Sequence, residues 1–250
     1  LIYDLVGDEQ VNAAMALEQF SSAIGLAVGA LAGGAFIEVL GVSSAYLAVA
    51  VAMGVALLVL SRVPRPPRRA AVAAGASTVS FRRTVAEGFR ALPANPALVS
   101  ILGVTLIVNV FHFSYFPIVT VIAKRVGASP SLTGLLAAAT GFGMAIGALA
   151  VVMRRPPRGR VYVAGSFVGF VVVLGFAQFR WYAPVFASLL VASVGLGAYG
   201  AVQSSLVLTS TDNALRGRAM GLLSMAIGGL PIGMYALGEL AQHVGAPTAL

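Results

Sequence analysis

The stretch from Trp181 to Thr211 reads WYAPVFASLLVASVGLGAYGAVQSSLVLTST and contains no Asp, Glu, Lys or Arg. A helix needs roughly 20 apolar residues to cross the ~30 Å hydrocarbon core of a bilayer, so this stretch is long enough for one crossing. A chain in lipid must satisfy its own backbone hydrogen bonds. The stretch also lacks the alternating pattern of an outer-membrane strand. It therefore predicts a membrane-spanning helix.

The same pattern occurs along the rest of the chain. Six more stretches are free of Asp, Glu, Lys and Arg, namely 19–37, 39–61, 91–123, 126–153, 161–179 and 219–238. The 250 residues are 59% hydrophobic and 10% charged, whereas soluble domains are about 45–50% apolar and about 25% charged. The sequence predicts an all-α integral membrane protein with seven complete transmembrane helices and the lipid bilayer as its main partner.

The distribution of reactive side chains argues against an enzyme. Cysteine is absent, which excludes disulfides and thiolate metal sites. A membrane-embedded enzyme needs clustered catalytic groups, but the two histidines, His112 and His243, are far apart and no Asp lies within a predicted span. No phosphate-binding loop is present. We therefore expect no catalytic residues, no metal site, no cofactor and no enzymatic activity.

The charges between the spans predict the orientation of the chain. Of the 16 basic residues, 13 fall on one side, mostly in the loops 62–95, 154–160 and 210–218. By the positive-inside rule this side is cytoplasmic. The basic residues therefore serve topology, and no nucleic-acid partner is expected. The chain begins at Leu1 and ends at Leu250 within the pattern, so we interpret it as a fragment.

The longest loop, 62–95, separates the second and third predicted spans. It begins with the basic, proline-rich segment RVPRPPRR and continues with Ala, Gly and Ser, which is typical of a flexible linker. Its second part has apolar residues at helical spacing and predicts a short amphipathic helix on the membrane surface; these residues are Phe81, Val85, Phe89 and Leu92. A solvated loop with accidental periodicity is the alternative.

An internal repeat relates the two ends of the chain. At an offset of 204 residues, Asp and Gly positions coincide without a gap: Asp8 with Asp212, Gly25 with Gly229, Gly29 with Gly233, Gly34 with Gly238 and Gly41 with Gly245. The first and seventh spans are then equivalent and have the same orientation, so the repeating unit is six helices. Parallel repeats of this kind support alternating access.

The order and spacing of several motifs resemble the major facilitator superfamily, particularly its bacterial drug and siderophore exporters. Residues 212–222, DNALRGRAMGL, resemble the loop and start of helix 11, and residues 109–116, NVFHFSYF, resemble helix 7. The resemblance implies a major-facilitator-type helical bundle of twelve helices, from which this chain covers the end of helix 4 to the start of helix 12. Residues 1–61 would hold helices 5 and 6, residues 62–95 the cytoplasmic linker, and residues 96–250 helices 7 to 11 and the start of 12.

The resemblance also implies a function. We expect a secondary active transporter that performs proton-coupled efflux of a small amphipathic compound, by alternating access. The proton gradient would supply the energy, and a monomer would work in the bacterial cytoplasmic membrane. An importer of the same fold, or a non-transporting receptor or scaffold, is the alternative, because fold does not determine function.

Four glycines in the first span resemble the helix 5 motif of the family's exporters, Gly-x-x-x-Gly-Pro-x-x-Gly-Gly. They are Gly25, Gly29, Gly33 and Gly34. The chain departs from the motif at Ala30, which stands in the place of the proline. The alternative is ordinary close packing of helices at small residues.

Polar residues within the predicted spans are candidates for the substrate cavity or for proton coupling, because such groups are costly in lipid. Asn109, His112 and Tyr115 share one helical face, and His112 either relays a proton or remains neutral as a structural residue. Glu18 either exchanges a proton or pairs with an Arg at the interface. Gln203 binds either substrate or a neighbouring helix.

A charged group at the cytoplasmic end of the seventh span is the candidate gate. It consists of Asp212, Arg216 and Arg218. The alternative is that Asp212 caps the helix and the two arginines anchor the chain at the membrane surface.

Overall fold

The computed structural model describes residues 2–62, 95–176, 178–212 and 215–245, with side chains from Leu17 onward in the first range. The regular elements in these ranges are helices, and no strand occurs among them. The predicted all-α class is thus confirmed. The predicted surface helix at 81–92 lies outside the described residues.

Eight α-helices follow one another along the described chain. They are α1 (Ile2–Arg62), α2 (Pro96–Ile107), α3 (Phe116–Arg125), α4 (Pro130–Arg154), α5 (Arg158–Phe176), α6 (Tyr182–Thr209), α7 (Arg216–Ile227) and α8 (Leu230–Val244). Together they form six apolar stretches long enough to cross a membrane, with α2 and α3 in one stretch and α7 and α8 in another. Five of these match the third to seventh predicted spans.

The first two predicted spans lie within one continuous helix, so the described residues contain six apolar helical stretches instead of seven separate ones. The stretches 19–37 and 39–61 both lie within α1, and the apolar part of that helix, Leu17–Arg62, has 46 residues. At 1.5 Å per residue this is about 69 Å, more than twice the ~30 Å hydrocarbon thickness. The segment that joins the two stretches, residues 35–50, contains no proline, and Gly41 is its single glycine. A helical hairpin would have a loop of about 2–5 residues here, but the helix continues through the segment.

Gly41 nevertheless marks a departure from helical geometry near the start of the second predicted span. Its φ is 79°, in the left-handed region, whereas α-helical residues have φ near about −63°. The glycine with which the repeat pairs it, Gly245, has a φ of 83° and ends α8. Equivalent glycines of the two copies therefore share a positive φ, which supports the repeat.

Replacing Gly41 by Ala is expected to destabilise the protein by about 1–2 kcal/mol, because a Cβ is strained in left-handed backbone. The measurement is the thermal unfolding midpoint of the detergent-purified protein. Gly54→Ala on the same helix is the control, since Gly54 has open space around it and no positive φ. That change should leave stability the same or raise it by about 0.5–1 kcal/mol. Equal effects of the two substitutions would contradict the assignment.

Helix α4 lies at the centre of the described bundle and packs against α1 on one side and α6 on the other. Small residues line the first contact. A Cβ at Gly34 would lie 2.9 Å from the Gly134 Cα, and one at Gly141 would lie 2.5 Å from the Ala23 carbonyl oxygen. Such close backbone approach is typical of helices in lipid, where packing replaces the hydrophobic effect. The outer surface carries large exposed apolar side chains such as Phe167, as a lipid-facing surface requires.

Candidate functional site

The span formed by α2 and α3 is broken at its middle. Val108–His112 form a π-helical turn and Phe113–Tyr115 a 3₁₀ turn. The cause is Pro117 in the first turn of α3, which has no N–H to donate to Phe113 and whose ring excludes the α-helical path. The Phe113 carbonyl accepts from Phe116 instead, and Phe113 donates to the Val108 carbonyl five residues earlier. Turns of this kind are frequent at functional sites.

The break contains three predicted site residues, and it brings them together in the interior. Asn109, His112 and Tyr115 are 4%, 1% and 0% exposed. The Asn109 side-chain amide donates to the Thr105 carbonyl oxygen at 2.9 Å. The polar atoms of His112 and the hydroxyl of Tyr115 have no hydrogen-bond partner among the described residues. All three predicted residues are therefore buried, and two of them carry polar groups that have no hydrogen-bond partner in the part of the chain that the structure describes.

His112 lies in an apolar cage. Its ring makes edge-to-face contacts with Phe113, Tyr115 and Phe170, with centroid separations of 5.5, 5.4 and 5.3 Å. Gly169 of α5 provides the remaining space, because a Cβ there would lie 3.0 Å from the His112 Cε1. An unsatisfied buried polar group costs about 1–3 kcal/mol. His112 is therefore a polar residue in surroundings that suit an apolar side chain.

Tyr115 is the centre of a second group of polar side chains that sequence analysis did not find. Its hydroxyl lies beside the hydroxyls of Thr140 on α4 and Ser193 on α6. All three residues are at most 2% exposed. Neither the Tyr115 nor the Ser193 hydroxyl reaches hydrogen-bonding geometry among the described residues. Three helices therefore place hydroxyl groups together in the core, at the point where one helix is broken.

A hydrogen-bonded network lies one to two helical turns before Asn109 and His112 and joins α2, α5 and α6. The Thr105 hydroxyl lies 2.7 Å from the Tyr162 hydroxyl, and the Gln203 amide donates to Thr105 Oγ1 at 3.0 Å. The same amide donates to the hydroxyl of Tyr199, whose ring stacks on Tyr162 at a centroid separation of 4.7 Å. Gln203 was predicted, and the structure places it in contact with neighbouring helices. Thr105, Tyr162 and Tyr199 were missed, although hydroxyls in charge-free stretches were the available signal.

Tyr162→Phe is expected to lower the stability of the protein by about 0.5–1.5 kcal/mol. The change removes the hydroxyl that donates to the Ile101 carbonyl at 2.8 Å and leaves that buried carbonyl with one partner fewer. The measurement is the thermal unfolding midpoint in detergent. Tyr235→Phe is the control, because Tyr235 is 76% exposed, and it should leave the midpoint unchanged. A network without structural importance would show no difference between the two variants.

Glu18 does not belong to either buried group. Its side chain is exposed on α1, while the neighbouring Gln19 contacts α6, where a Cβ at Gly200 would lie 3.2 Å from the Gln19 Nε2. The structure therefore places Glu18 at the surface of the described bundle, away from Asn109, His112 and Tyr115.

The four glycines of the first span differ in their surroundings. Gly34 meets α4 closely, whereas a Cβ at Gly25, Gly29 or Gly33 would meet no atom within 4 Å among the described residues. Their role in helix packing is thus seen only at Gly34. In the second copy of the repeat the situation is different, because a Cβ at Gly233 would overlap the Val110 carbonyl oxygen and the Ser114 hydroxyl. The equivalent of Gly29 therefore packs directly on the broken helix.

The predicted cytoplasmic group connects the end of α6 to its neighbours. Arg216 Nε donates to the Leu208 carbonyl oxygen at 3.1 Å, and the Asp212 carbonyl accepts from the Leu215 N–H at 2.9 Å. The side chains of Asp212 and Arg218 are exposed. Asn95, which sequence analysis missed, caps α2 and donates to the Ser210 carbonyl at 2.6 Å. Arg216 and Asn95 thus satisfy carbonyls that the end of α6 leaves open.

Comparison with known proteins identifies the family. The sequence model of the Major Facilitator Superfamily matches residues 1–235, nearly the whole chain. No curated protein and no solved structure matches the chain significantly. The match agrees with an all-helical protein with six apolar stretches long enough to span a membrane, and members of this family are secondary transporters. The chain is a multi-pass membrane protein and belongs to the Major Facilitator Superfamily.

Proposed function

We propose that this protein is a secondary active transporter that exports a small amphipathic compound in exchange for protons. The observation that carries the proposal is His112, a titratable residue at the break in a membrane-spanning helix, buried with no hydrogen-bond partner among the residues that the structure describes. Histidine changes charge near neutral pH, which is the range in which a proton gradient acts. No cofactor is needed, because the gradient supplies the energy.

The broken helix gives the proton step its physical basis. A charged imidazole in the cage of Phe113, Tyr115 and Phe170 would have no partner, so protonation requires the cage to open to water or to a polar substrate. π-helical and 3₁₀ turns hold fewer ideal hydrogen bonds than an α-helix and are able to change register. Opening and closing of this segment would therefore couple the charge of His112 to the conformation of the protein.

The packing of the bundle supports motion of two rigid halves. In the proposed division, residues 1–61 belong to the first half, residues 62–95 to the linker and residues 96–250 to the second half. The network of Thr105, Tyr162 and Gln203 holds α2, α5 and α6 together as one body. The contact between α1 and α4, which joins the two halves, includes small residues at which the two backbones approach closely. Alternating access by rocking of the halves needs this combination.

The proposed setting is the bacterial cytoplasmic membrane, with a monomer as the working unit. The loops 62–95, 154–160 and 210–218 would face the cytoplasm, because they carry most of the basic residues. Glu38, Ser129 and Glu239 then lie toward the outer side of the membrane. The proposed substrate class is amphipathic because the buried groups of Tyr115, Thr140 and Ser193 are uncharged hydroxyls within an apolar core.

Import is the second candidate, and one feature of the chain favours it. Ala30 stands where the exporters have proline, and three of the four motif glycines make no close contact among the described residues. The experiment compares dye accumulation in cells that lack or express the full-length protein, with and without a protonophore. Export predicts lower accumulation that the protonophore abolishes, and import predicts higher accumulation. Equal accumulation for every amphipathic dye and solute tested would contradict both directions.

A further inference from the structure

Glu38 of α1 reaches across to the start of α4. One carboxylate oxygen, Oε2, accepts hydrogen bonds from the Ser129 hydroxyl at 2.9 Å and from the Ser131 backbone N–H at 2.7 Å. Ser129 is itself the N-cap of α4, and Pro130 follows at the first helical position. The first N–H groups of a helix lack partners within it and carry partial positive charge, so a carboxylate is favourable there.

Backbone contacts lie immediately below this polar bridge. A Cβ at Gly34, one turn from Glu38, would lie 2.7 Å from the Pro130 carbonyl oxygen, and one at Gly134 would lie 2.6 Å from the Ala30 carbonyl oxygen. The two helices therefore touch through their main chains at this end. Glu38 lies at the end of that contact and accepts hydrogen bonds from Ser129 and Ser131 at the N-terminus of α4.

We propose that Glu38 is a latch that holds the middle of α1 against the outer end of α4 and is released when the transporter opens to the outside. The inference rests on the proposed function, in which α1 and α4 belong to different halves and this end faces outward. Release of the latch is energetically feasible because Glu38 is exposed. Water replaces both bonds when the helices separate, so the latch biases the conformation without locking it.

The test measures access to the interface in the full-length, otherwise cysteine-free protein. A cysteine at Leu31 is the probe, because this half-buried residue lies on α1 between the contact positions Ala27 and Gly34. A membrane-impermeant maleimide added from the outside reports how often the outer cleft opens. Glu38→Ala should raise the labelling rate about threefold to tenfold, since two charge-assisted hydrogen bonds at an exposed site are lost.

Two further variants separate the latch from a general loss of charge or of folding. Glu38→Gln keeps an oxygen that accepts hydrogen bonds, so its labelling rate should lie between those of the wild type and Glu38→Ala. Glu239→Ala removes another carboxylate at the same proposed end, one that lies 3.3 Å from His243 on its own helix. It should label at the wild-type rate.

The outcomes distinguish the latch from the transport proposal. Labelling at the wild-type rate in Glu38→Ala would overturn the latch, whatever the protein transports. An equal acceleration of labelling by Glu239→Ala would also overturn the latch. If Glu38→Ala accelerates labelling but the wild-type protein moves no solute, the latch stands and the transport proposal fails. Size-exclusion elution of each variant as a single species confirms that the labelling rates refer to folded protein.

Discussion

Replacing His112 by Phe is expected to raise the thermal stability of the protein and to abolish its proton-coupled transport. Phe resembles the imidazole in shape and suits a cage lined by Phe113, Tyr115 and Phe170. The change removes two buried nitrogens that have no partner among the described residues. Removing such groups is worth about 1–3 kcal/mol, which corresponds to a rise of roughly 2–12 °C in the unfolding midpoint of a protein of this size.

The two effects together separate a functional His112 from a structural one. The measurements are the unfolding midpoint in detergent and the pH-gradient-driven flux in vesicles, made on the same preparation. His243→Gln is the control, because the second histidine is exposed and pairs with Glu239 on its own helix. It should change neither quantity. A His112→Phe protein that transports normally would show that the imidazole takes no part in coupling, and one that is less stable would show that its nitrogens have partners.

Gly147→Ala is expected to cause a large loss of stability at the contact between α4 and α6. The added methyl group would overlap the Val194 carbonyl oxygen and lie 2.8 Å from the Ala198 nitrogen. Both are backbone atoms of α6, so no side chain can rotate to make room. Overpacking typically costs about 1–3 kcal/mol, and we expect the upper end of that range here because the neighbours are backbone atoms, so the unfolding midpoint should fall by roughly 6–12 °C.

The control for this prediction is Gly103→Ala. Gly103 lies within α2 and has open space around it, so a methyl group there should leave the midpoint unchanged or raise it slightly. If Gly147→Ala were as harmless as Gly103→Ala, α4 and α6 could not be in backbone contact. That result would contradict the arrangement of helices around α4.

The sequence was sufficient to predict most of the helices and their approximate bounds. Charge-free stretches predict spans because a charged side chain in hydrocarbon is costly, and five predicted spans coincide with helical stretches in the structure. The separation of the first two spans was not borne out, since both lie in α1. Glu38 divided the two stretches in the sequence, but a charge alone does not end a helix. It is instead engaged at the start of α4.

The candidate site was predictable only in part. Residues three apart share a helical face, which is why Asn109, His112 and Tyr115 were found together. Their environment depends on contacts between distant helices, which spacing does not show. Thr105 and Tyr162, for example, are 57 residues apart and 2.7 Å from each other. The π-helical turn was also missed, although Pro117 was a visible signal that the α-helical pattern is interrupted before it.

The most direct test of proton-coupled transport uses the full-length protein reconstituted in liposomes with an imposed pH gradient. An amphipathic fluorescent dye inside or outside the vesicles reports movement of solute, and a pH indicator reports movement of protons. We expect dye and protons to move in opposite directions, both movements to stop when a protonophore collapses the gradient, and both to be absent in His112→Phe vesicles. Dye movement that ignores the gradient, or proton movement that persists in His112→Phe vesicles, would contradict proton coupling through His112.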